Sequence, residues 1–486
     1  MDPKRKGMTR VPAAAWLLAA LLPAMLGSDV AASAVGTVDW PAYLYDAGHS
    51  SFAATATAIT PANAASLGNP VWNWKPDPPV GGQPAATLYA SPTVYGGTIY
   101  IGANTGMFYA IDEATHSVKW KRDLGYATGT TCGKKGITAT ASLAVDPATG
   151  DPTVYVGSGD GRLYALKAST GRVVWKSVIK LPSPTVSDYY DWSSPTVVNG
   201  RIYIGISSQC DSPLVRGGEK GFDQATGRAI GTYYSMPKGT VGGSIWSSAA
   251  SDGTSLWVTT GNSDPSLPDT EQGDSFSIVQ LDGTTMKREK KWTIPGQAHT
   301  DRDWGGSPTL FSATIGGKTV SLVGAADKDG YFYAFRRNAL GNGPVWKTLI
   351  GSTPGSNNDV CIAAAIWDGT RLFAACNLTK IGVTTYDGSV RQLDPATGGV
   401  IWERGLDGAV LGSPTLDGAG VIAASTWKGA GPKKKATTYL LDAASGQVLK
   451  DYPTSGGSSV FGQPVFADGD LLVASIDQGL FAYKAP

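Results

Sequence analysis

A short turn ending in Thr-Gly, followed four residues later by tryptophan, recurs along this chain and sharply limits what it can fold into. The clearest copies run from Ala165-Leu166-Lys167-Ala168-Ser169-Thr170-Gly171 to Trp175 and from Leu393-Asp394-Pro395-Ala396-Thr397-Gly398 to Trp402. Degenerate copies put an aromatic residue at the same point at Trp120, Tyr234, Trp292, Trp346 and Tyr452. The period is roughly 48 to 60 residues, the length of one propeller blade. Upstream of each copy lie a Ser-Pro-Thr-Val type segment, a turn and a Tyr-Ile-Gly type segment, as in Ser91-Pro92-Thr93-Val94 and Ile99-Tyr100-Ile101-Gly102. Each unit therefore reads as four short antiparallel strands. Gly462-Gln463-Pro464-Val465 to Tyr483 supplies three strands without a fourth, while Val71-Trp72-Asn73-Trp74 stands alone before the first repeat. Together they predict an eighth blade closed by strands from both ends, an arrangement that leaves no open sheet edge. The turn-linked aromatics are read as wedges between blades rather than as ligand platforms.

Composition agrees with an all-β chain. The 63 glycines, 15 tryptophans and 20 tyrosines disfavour helix and suit pleated strands. Forty Lys and Arg stand against 39 Asp and Glu, so there is no basic excess for a phosphate backbone, and nucleic acid is not an expected partner. The three histidines, His49, His116 and His299, lie too far apart for zinc-ligand spacing, which leaves a carboxylate as the expected base. No Gly-x-Ser-x-Gly elbow occurs, and Gly317-Lys318-Thr319 lacks the upstream glycine of a phosphate loop. Cys-x-x-Cys-His is also absent, so no covalently held c-type haem is expected.

Lys4, Arg5, Lys6 and Arg10 precede an apolar run from Val11 to Leu26, and Ala32-Ser33-Ala34 offers a small-residue cleavage site. Residues 1–34 thus read as a secretory signal peptide and 35–486 as the exported propeller. The apolar run, interrupted by Pro12 and Pro23, is short for a bilayer that needs about 20 residues. A secreted, periplasmic or cell-envelope location is expected, oxidising enough for the four cysteines to pair. Strands 362–367 and 371–375 joined through Asp368-Gly369 would set Cys361 opposite Cys376, within disulfide range. Cys132 with Cys210 is the second pairing.

In a four-stranded antiparallel blade, with strands A to D running outward, the B–C and D–A connections emerge at one end of the propeller. The long irregular segments 130–138, 207–218, 262–273, 297–304 and 352–360 all fall on that rim, which suggests a funnel over the axis. There, Trp246 in Gly243-Ser244-Ile245-Trp246 stands outside the turn-linked series. Asn262 follows Thr260-Gly261, Asp301 and Asp303 flank Arg302, and Lys328 lies in Asp327-Lys328-Asp329-Gly330. An aromatic plane, an amide, two carboxylates and an ammonium suit a planar anionic cofactor and a hard cation with oxygen ligands.

At these residues the sequence resembles the quinoprotein alcohol dehydrogenases, eight-bladed propellers that bind pyrroloquinoline quinone (PQQ) and calcium. The polyvinyl-alcohol dehydrogenase branch, without a cytochrome c domain, looks closest. The resemblance implies that Trp246 carries the quinone, that Asn262 ligates the metal, and that Asp301 in Asp301-x-Asp303-x-Gly305-x-Ser307-Pro308 is both catalytic base and metal ligand. It implies that Lys328 lies near the quinone carbonyls, that Ser158 in Gly157-Ser158-Gly159 meets a cofactor carboxylate, and that Asp303 is a further metal ligand, as in lanthanide-using relatives. The family's adjacent cysteines are reduced here to Cys132, Lys135-Gly136 replaces an Arg-Gly pair, and Asp211 in Cys210-Asp211-Ser212 is the nearest substitute for an expected glutamate ligand. In the family a strand-start tryptophan stands where Ile362-Ala363 lies. The activity implied is oxidation of a primary or secondary alcohol, with electrons passing to a separate acceptor such as a cytochrome or quinone. A monomer is expected. The alternative is a non-catalytic scaffold that binds protein or cell-envelope partners. Lys433-Lys434-Lys435 and the sequon Asn377-Leu378-Thr379 are assigned no role.

Overall fold

In a computed structural model describing residues 38–297, 300–352, 361–428, 435–454 and 458–486, the repeats become eight antiparallel blades. Blade 1 shows the pattern, with strands A to D at Thr93–Val94, Thr98–Gly102, Met107–Asp112 and Val118–Asp123. Blade 8 takes strands A to C from Val465–Ala467, Asp470–Ser475 and Gly479–Lys484, and strand D from Trp72–Trp74, with Trp72 opposite Ala482 and Trp74 opposite Leu480. The expected signal segment, His299, residues 353–360 of the expected rim, and Lys433 with Lys434 lie outside the described residues.

The turn-and-tryptophan repeat is the latch between neighbouring blades. Trp120 on strand D of blade 1 donates its indole N–H to the Ala168 carbonyl in the blade 2 turn at 2.8 Å. Trp175, Trp346 and Trp402 do the same to Gln224, Pro395 and Ala443. The glycine closing each receiving turn has positive φ and lies flat on the ring. A Cβ on Gly171 or Gly227 would stand 2.4 Å from the indole of Trp120 or Trp175. Thus the turn needs glycine twice, for backbone conformation and for ring contact.

A second device circles the axis just before strand A of each blade. The backbone N–H of Ser91 donates to the Thr140 hydroxyl, Thr140 to Ser194, Ser194 to Ser248, and Ser248 to Ser307, at 2.9–3.0 Å. Ala364 donates to Ser413, and Gln463 donates back to Ser91. The serine of the Ser-Pro motif is therefore an inter-blade acceptor that satisfies a buried N–H.

Residues 38–53 cross the inner strands from below. Trp40 pairs with Val94 of blade 1, Pro41 accepts from Leu143 of blade 2, Ala47 from Ser251 of blade 4, Gly48 from Leu310 of blade 5 and Ser50 from Trp367 of blade 6. Phe52–Ala53 then runs parallel to Thr415–Asp417 of blade 7.

One expectation needs correction. The blade 6 hairpin pairs Ile366 with Phe373 and Trp367 with Leu372, two residues out from symmetry about Asp368-Gly369. The Asp368 carboxylate accepts from the backbone N–H of Thr370 and Arg371, closing a four-residue turn. Cys361 is thus not on a strand opposite Cys376. It reaches Cys376 from an irregular segment, with the Cα atoms 4.4 Å apart, and the two are joined as a disulfide.

Candidate active site

The belt of hydroxyls also determines what faces the axis. Counting two residues back from each belt position gives Tyr89, Thr138, Trp192, Trp246, Gly305, Ile362, Leu411 and Phe461, one from every blade, and all eight line one axial chamber of about 260 Å³. Tyr43, from the segment crossing below, lines it too. Trp246 can lie against its neighbour only because residue 305 is glycine. A Cβ there would stand 2.5 Å from the Trp246 ring and 2.3 Å from Ile362.

The D–A connections and B–C loops of blades 3 to 5 bring the polar residues to this wall. The Trp246 indole N–H donates to Asp303 Oδ2 at 2.8 Å, and Lys328 Nζ donates to Asp303 Oδ1 at 2.5 Å and to Asp301 Oδ1 at 3.1 Å. Lys328 also stands 5.3 Å from the centre of the Trp246 ring. Asn262 Nδ2 donates to Asp301 Oδ1 at 3.1 Å and to Asp211 Oδ2 at 2.9 Å. The side chain of Asp301 is 66% exposed, whereas that of Asp303 is 3% exposed.

These positions divide the two carboxylates chemically. Partial burial works to raise Asp301, but the Lys328 ammonium and the Asn262 amide outweigh it and hold the carboxyl below its ordinary value. Burial of Asp303 prevails over Lys328 and the indole N–H and raises it. For Lys328, burial opposes the ammonium, and Asp303 and Asp301 more than compensate, so it stays protonated. Asp301 is thus the ionised, accessible carboxylate, and Asp303 the buried one whose oxygens are both engaged.

The donor set fits a cation and an anionic planar group. Asn262 Oδ1 is buried with no hydrogen-bond partner, while the Nδ2 of the same amide faces the carboxylates of Asp211 and Asp301. Among the described residues no three carboxylate, imidazole or thiol groups make a metal cage, so this amide oxygen is needed to complete a hard-oxygen site. Lys135 has its ammonium 5.0 Å from the Trp192 ring and 5.2 Å from the Tyr89 ring, an arrangement ready for an anion in the chamber.

Of the residues expected from sequence, Trp246, Asn262, Asp301, Asp303, Lys328 and Asp211 come together, and Lys135 stands over the chamber wall. Cys132 is bonded to Cys210, with Cα atoms 6.1 Å apart, on the rim. Ser158 does not join them. Its hydroxyl donates to the Leu124 and Gly125 carbonyls, between blades 1 and 2. Asp303 holds indole and ammonium with its two oxygens, instead of lying open to a metal. Sequence reasoning missed Trp192, Tyr89 and Tyr43. Counting back from the Ser-Pro motif would have found the first two.

Comparison with known proteins finds two kinds of relative. The profile of the family described as glucose/ethanol/alcohol dehydrogenase, beta-propeller domain, with PQQ, matches residues 40–359. That of the outer membrane protein assembly factor BamB matches residues 338–485. A quinohemoprotein alcohol dehydrogenase of Comamonas testosteroni is 27% identical over 64% of this chain and 46% of its own length. The quinoprotein alcohol dehydrogenase PedH of Pseudomonas putida is 24% identical over 55% of this chain and 48% of its own. The chain thus spans less than half the length of these relatives. Among solved structures, a europium-containing methanol dehydrogenase superposes with a TM-score of 0.71 at 16% identity, covering 90% of both chains. BamB of Moraxella catarrhalis superposes with 0.54 at 15%, covering 86% of this chain and 99% of its own. The first family's profile accounts for about two thirds of the chain, including every blade that contributes to the Trp246 cluster, and the chain belongs to the PQQ-type alcohol dehydrogenase beta-propeller family.

Proposed function

We propose that this protein is an exported quinoprotein dehydrogenase, with residues 1–34 as its signal and 35–486 as the propeller, that oxidises a primary or secondary alcohol. The observation that carries the reading is the joined set of Trp246, Asn262, Asp301, Asp303 and Lys328, an aromatic plane, an amide, two carboxylates and an ammonium linked by hydrogen bonds. A scaffold has no need of that constellation.

In this reading Trp246 carries PQQ, Lys135 and Lys328 balance its charge, and Asp211, Asn262 and Asp301 hold calcium or a lanthanide. When bound, PQQ supplies the two-electron acceptor and the cation polarises it. Asp301 receives the proton of the substrate hydroxyl, a role suited to an ionised, exposed carboxylate. Lys328 touches Asp301 and Asp303 together, so it sets the orientation of the base while Asp303 keeps the Trp246 plane in place. The exposure of Asp301 lets the alcohol be small or part of a polymer, as in the polyvinyl-alcohol branch. Electrons leave to a separate acceptor such as a cytochrome or quinone, and the protein works as a monomer.

The test is a titration of PQQ with calcium, then with lanthanum, following quinone absorbance and melting temperature. Turnover with an artificial electron acceptor and an alcohol is measured next. Binding and turnover are expected. If neither ion gives a spectral change or stabilisation, the scaffold reading replaces this one.

A further inference from the structure

We propose that the Cys132–Cys210 disulfide is a positioning element of the cation site, holding Asp211 within reach of Asn262, so that cation affinity falls when the bond is reduced. The inference rests on the reading of Asp211, Asn262 and Asp301 as that site.

Cys132 lies on the connection from blade 1 to blade 2, and Cys210 on the B–C loop of blade 3, 78 residues away in sequence. Asp211 follows Cys210 directly and has φ +55°, a left-handed conformation that aspartate accepts more readily than most residues when its side chain is held by a local hydrogen bond. Cys210, Asp211, Ser212 and Pro213 are all exposed, so core packing does not impose it. Covalent and polar ties do. The disulfide fixes the preceding residue, Gln209 Nε2 donates to the Gly133 carbonyl at 2.6 Å, and the Cys132 N–H donates to Ser187 Oγ at 3.1 Å. Ser208 Oγ is hydrogen-bonded to Asp211 Oδ1 and accepts from the Asp211 N–H. That pairing occupies one carboxylate oxygen and aims the other, Oδ2, at Asn262.

Gln209 is also tied to the Asp188 carbonyl and the Trp192 indole, but beyond it the covalent tie on the exposed turn is the disulfide, and Cys132 and Gly133 belong to the same segment as Lys135. The bond therefore joins the segment whose Lys135 ammonium lies over the Tyr89 and Trp192 rings to the loop that carries a candidate cation ligand. It is also accessible: Cys210 is exposed, whereas Cys361 and Cys376 of the other disulfide are fully buried. Reduction by a phosphine breaks the S–S bond with two electrons, leaves two thiols with protons from water, and converts the phosphine to its oxide. Once released, the exposed residues 210–213 can sample other conformations, and the Asp211 carboxylate must be ordered again for each cation bound, a cost that appears as weaker affinity.

The experiment measures calcium and terbium binding, by calorimetry and terbium luminescence, to the purified chain and to the Cys132→Ala/Cys210→Ala double variant. Asp211→Asn is made in both backgrounds. The double variant should bind at least tenfold more weakly, and Asp211→Asn should weaken the disulfide-bonded chain but add little in the cysteine-free one. Equal affinity with and without the disulfide overturns the proposal, as does an equal loss from Asp211→Asn in both backgrounds. Either result leaves the cation site itself standing. If the disulfide-bonded chain binds neither ion, the cation site and this proposal fall together. Should the double variant not fold, titrating the parent before and after mild phosphine treatment, with thiols mapped to Cys132 and Cys210, makes the same comparison.

Discussion

Asp301 and Asp303 are separated by one residue, yet opposite burial gives them different work. Asp301→Asn should leave PQQ affinity nearly unchanged while lowering kcat by about 10²–10⁴, because the amide keeps the shape but cannot accept a proton. A loss of PQQ binding in spectral titration, with kcat retained, would contradict that assignment. Trp246→Ala should instead weaken PQQ binding. The residue types were legible in sequence because Trp246, Asn262, Asp301 and Lys328 interrupt a regular repeat. The engagement of Asp303 was not, since it depends on where Gly305 lets the indole lie. His49 adds a pH dependence at this scale. Burial outweighs its bond to the Pro308 carbonyl and the nearby charge of Asp46, lowering its pKa to about 4. The folded chain therefore binds fewer protons here than the unfolded chain between about pH 6.5 and 4, and stability falls as pH falls through that window. The ceiling is about 3 kcal/mol. His49→Asn, which tolerates the left-handed φ of +64°, should flatten that part of the urea-midpoint profile, and an unchanged slope would refute the account.

At the level of the element, the belt that places the chamber wall also reveals one misfit. Three residues back from each belt position lie Leu88, Ile137, Ile245, Trp304, Cys361, Val410 and Val460, all fully buried, and in blade 3 Asp191. Both carboxylate oxygens of Asp191 lack a hydrogen-bond partner, and one lies where a Cβ on Gly157 would be. Burial raises its pKa well above the ordinary value. An apolar side chain belongs there on packing grounds, so Asp191→Val should raise stability by about 1–3 kcal/mol at pH 7. Chemical denaturation showing a loss instead would mean that the acid has a partner or role of its own. The four-strand unit was readable because its turn and tryptophan are local signals. The blade 6 register was not, because the Asp368 side chain lengthens a turn that the Asp-Gly dipeptide alone would make tight.

Closure of the whole ring was legible from the unmatched strands at the two ends, and it creates an electrostatic problem that was not. The blade 8 turn carrying Asp468 and Asp470 meets the crossing segment at Asp39 and the blade 1 turn at Glu113. The Val38 N–H donates to Asp468, and the Gly96 N–H to Asp39. The carboxyl group of Glu113 is buried beside that of Asp468. Burial first, then Asp468, Asp470 and Asp39, raise its pKa to about 8. The folded chain thus holds a proton at Glu113 that the unfolded chain releases above about pH 4.5, and closure weakens as pH rises from there through about 8. This slope is opposite to that of His49. Glu113→Gln, which keeps the neutral shape, should therefore stabilise the protein by about 2–4 kcal/mol at pH 8.5 and change little at pH 4. Removing residues 1–75 takes away both strand D of blade 8 and the segment below the axis, and should lower the denaturant midpoint at every pH. In that truncated chain, with Asp39 gone and the seam open to water, Glu113→Gln should lose most of its effect. An equal gain in the open and closed forms would show that Glu113 acts within blade 1 and not across the seam.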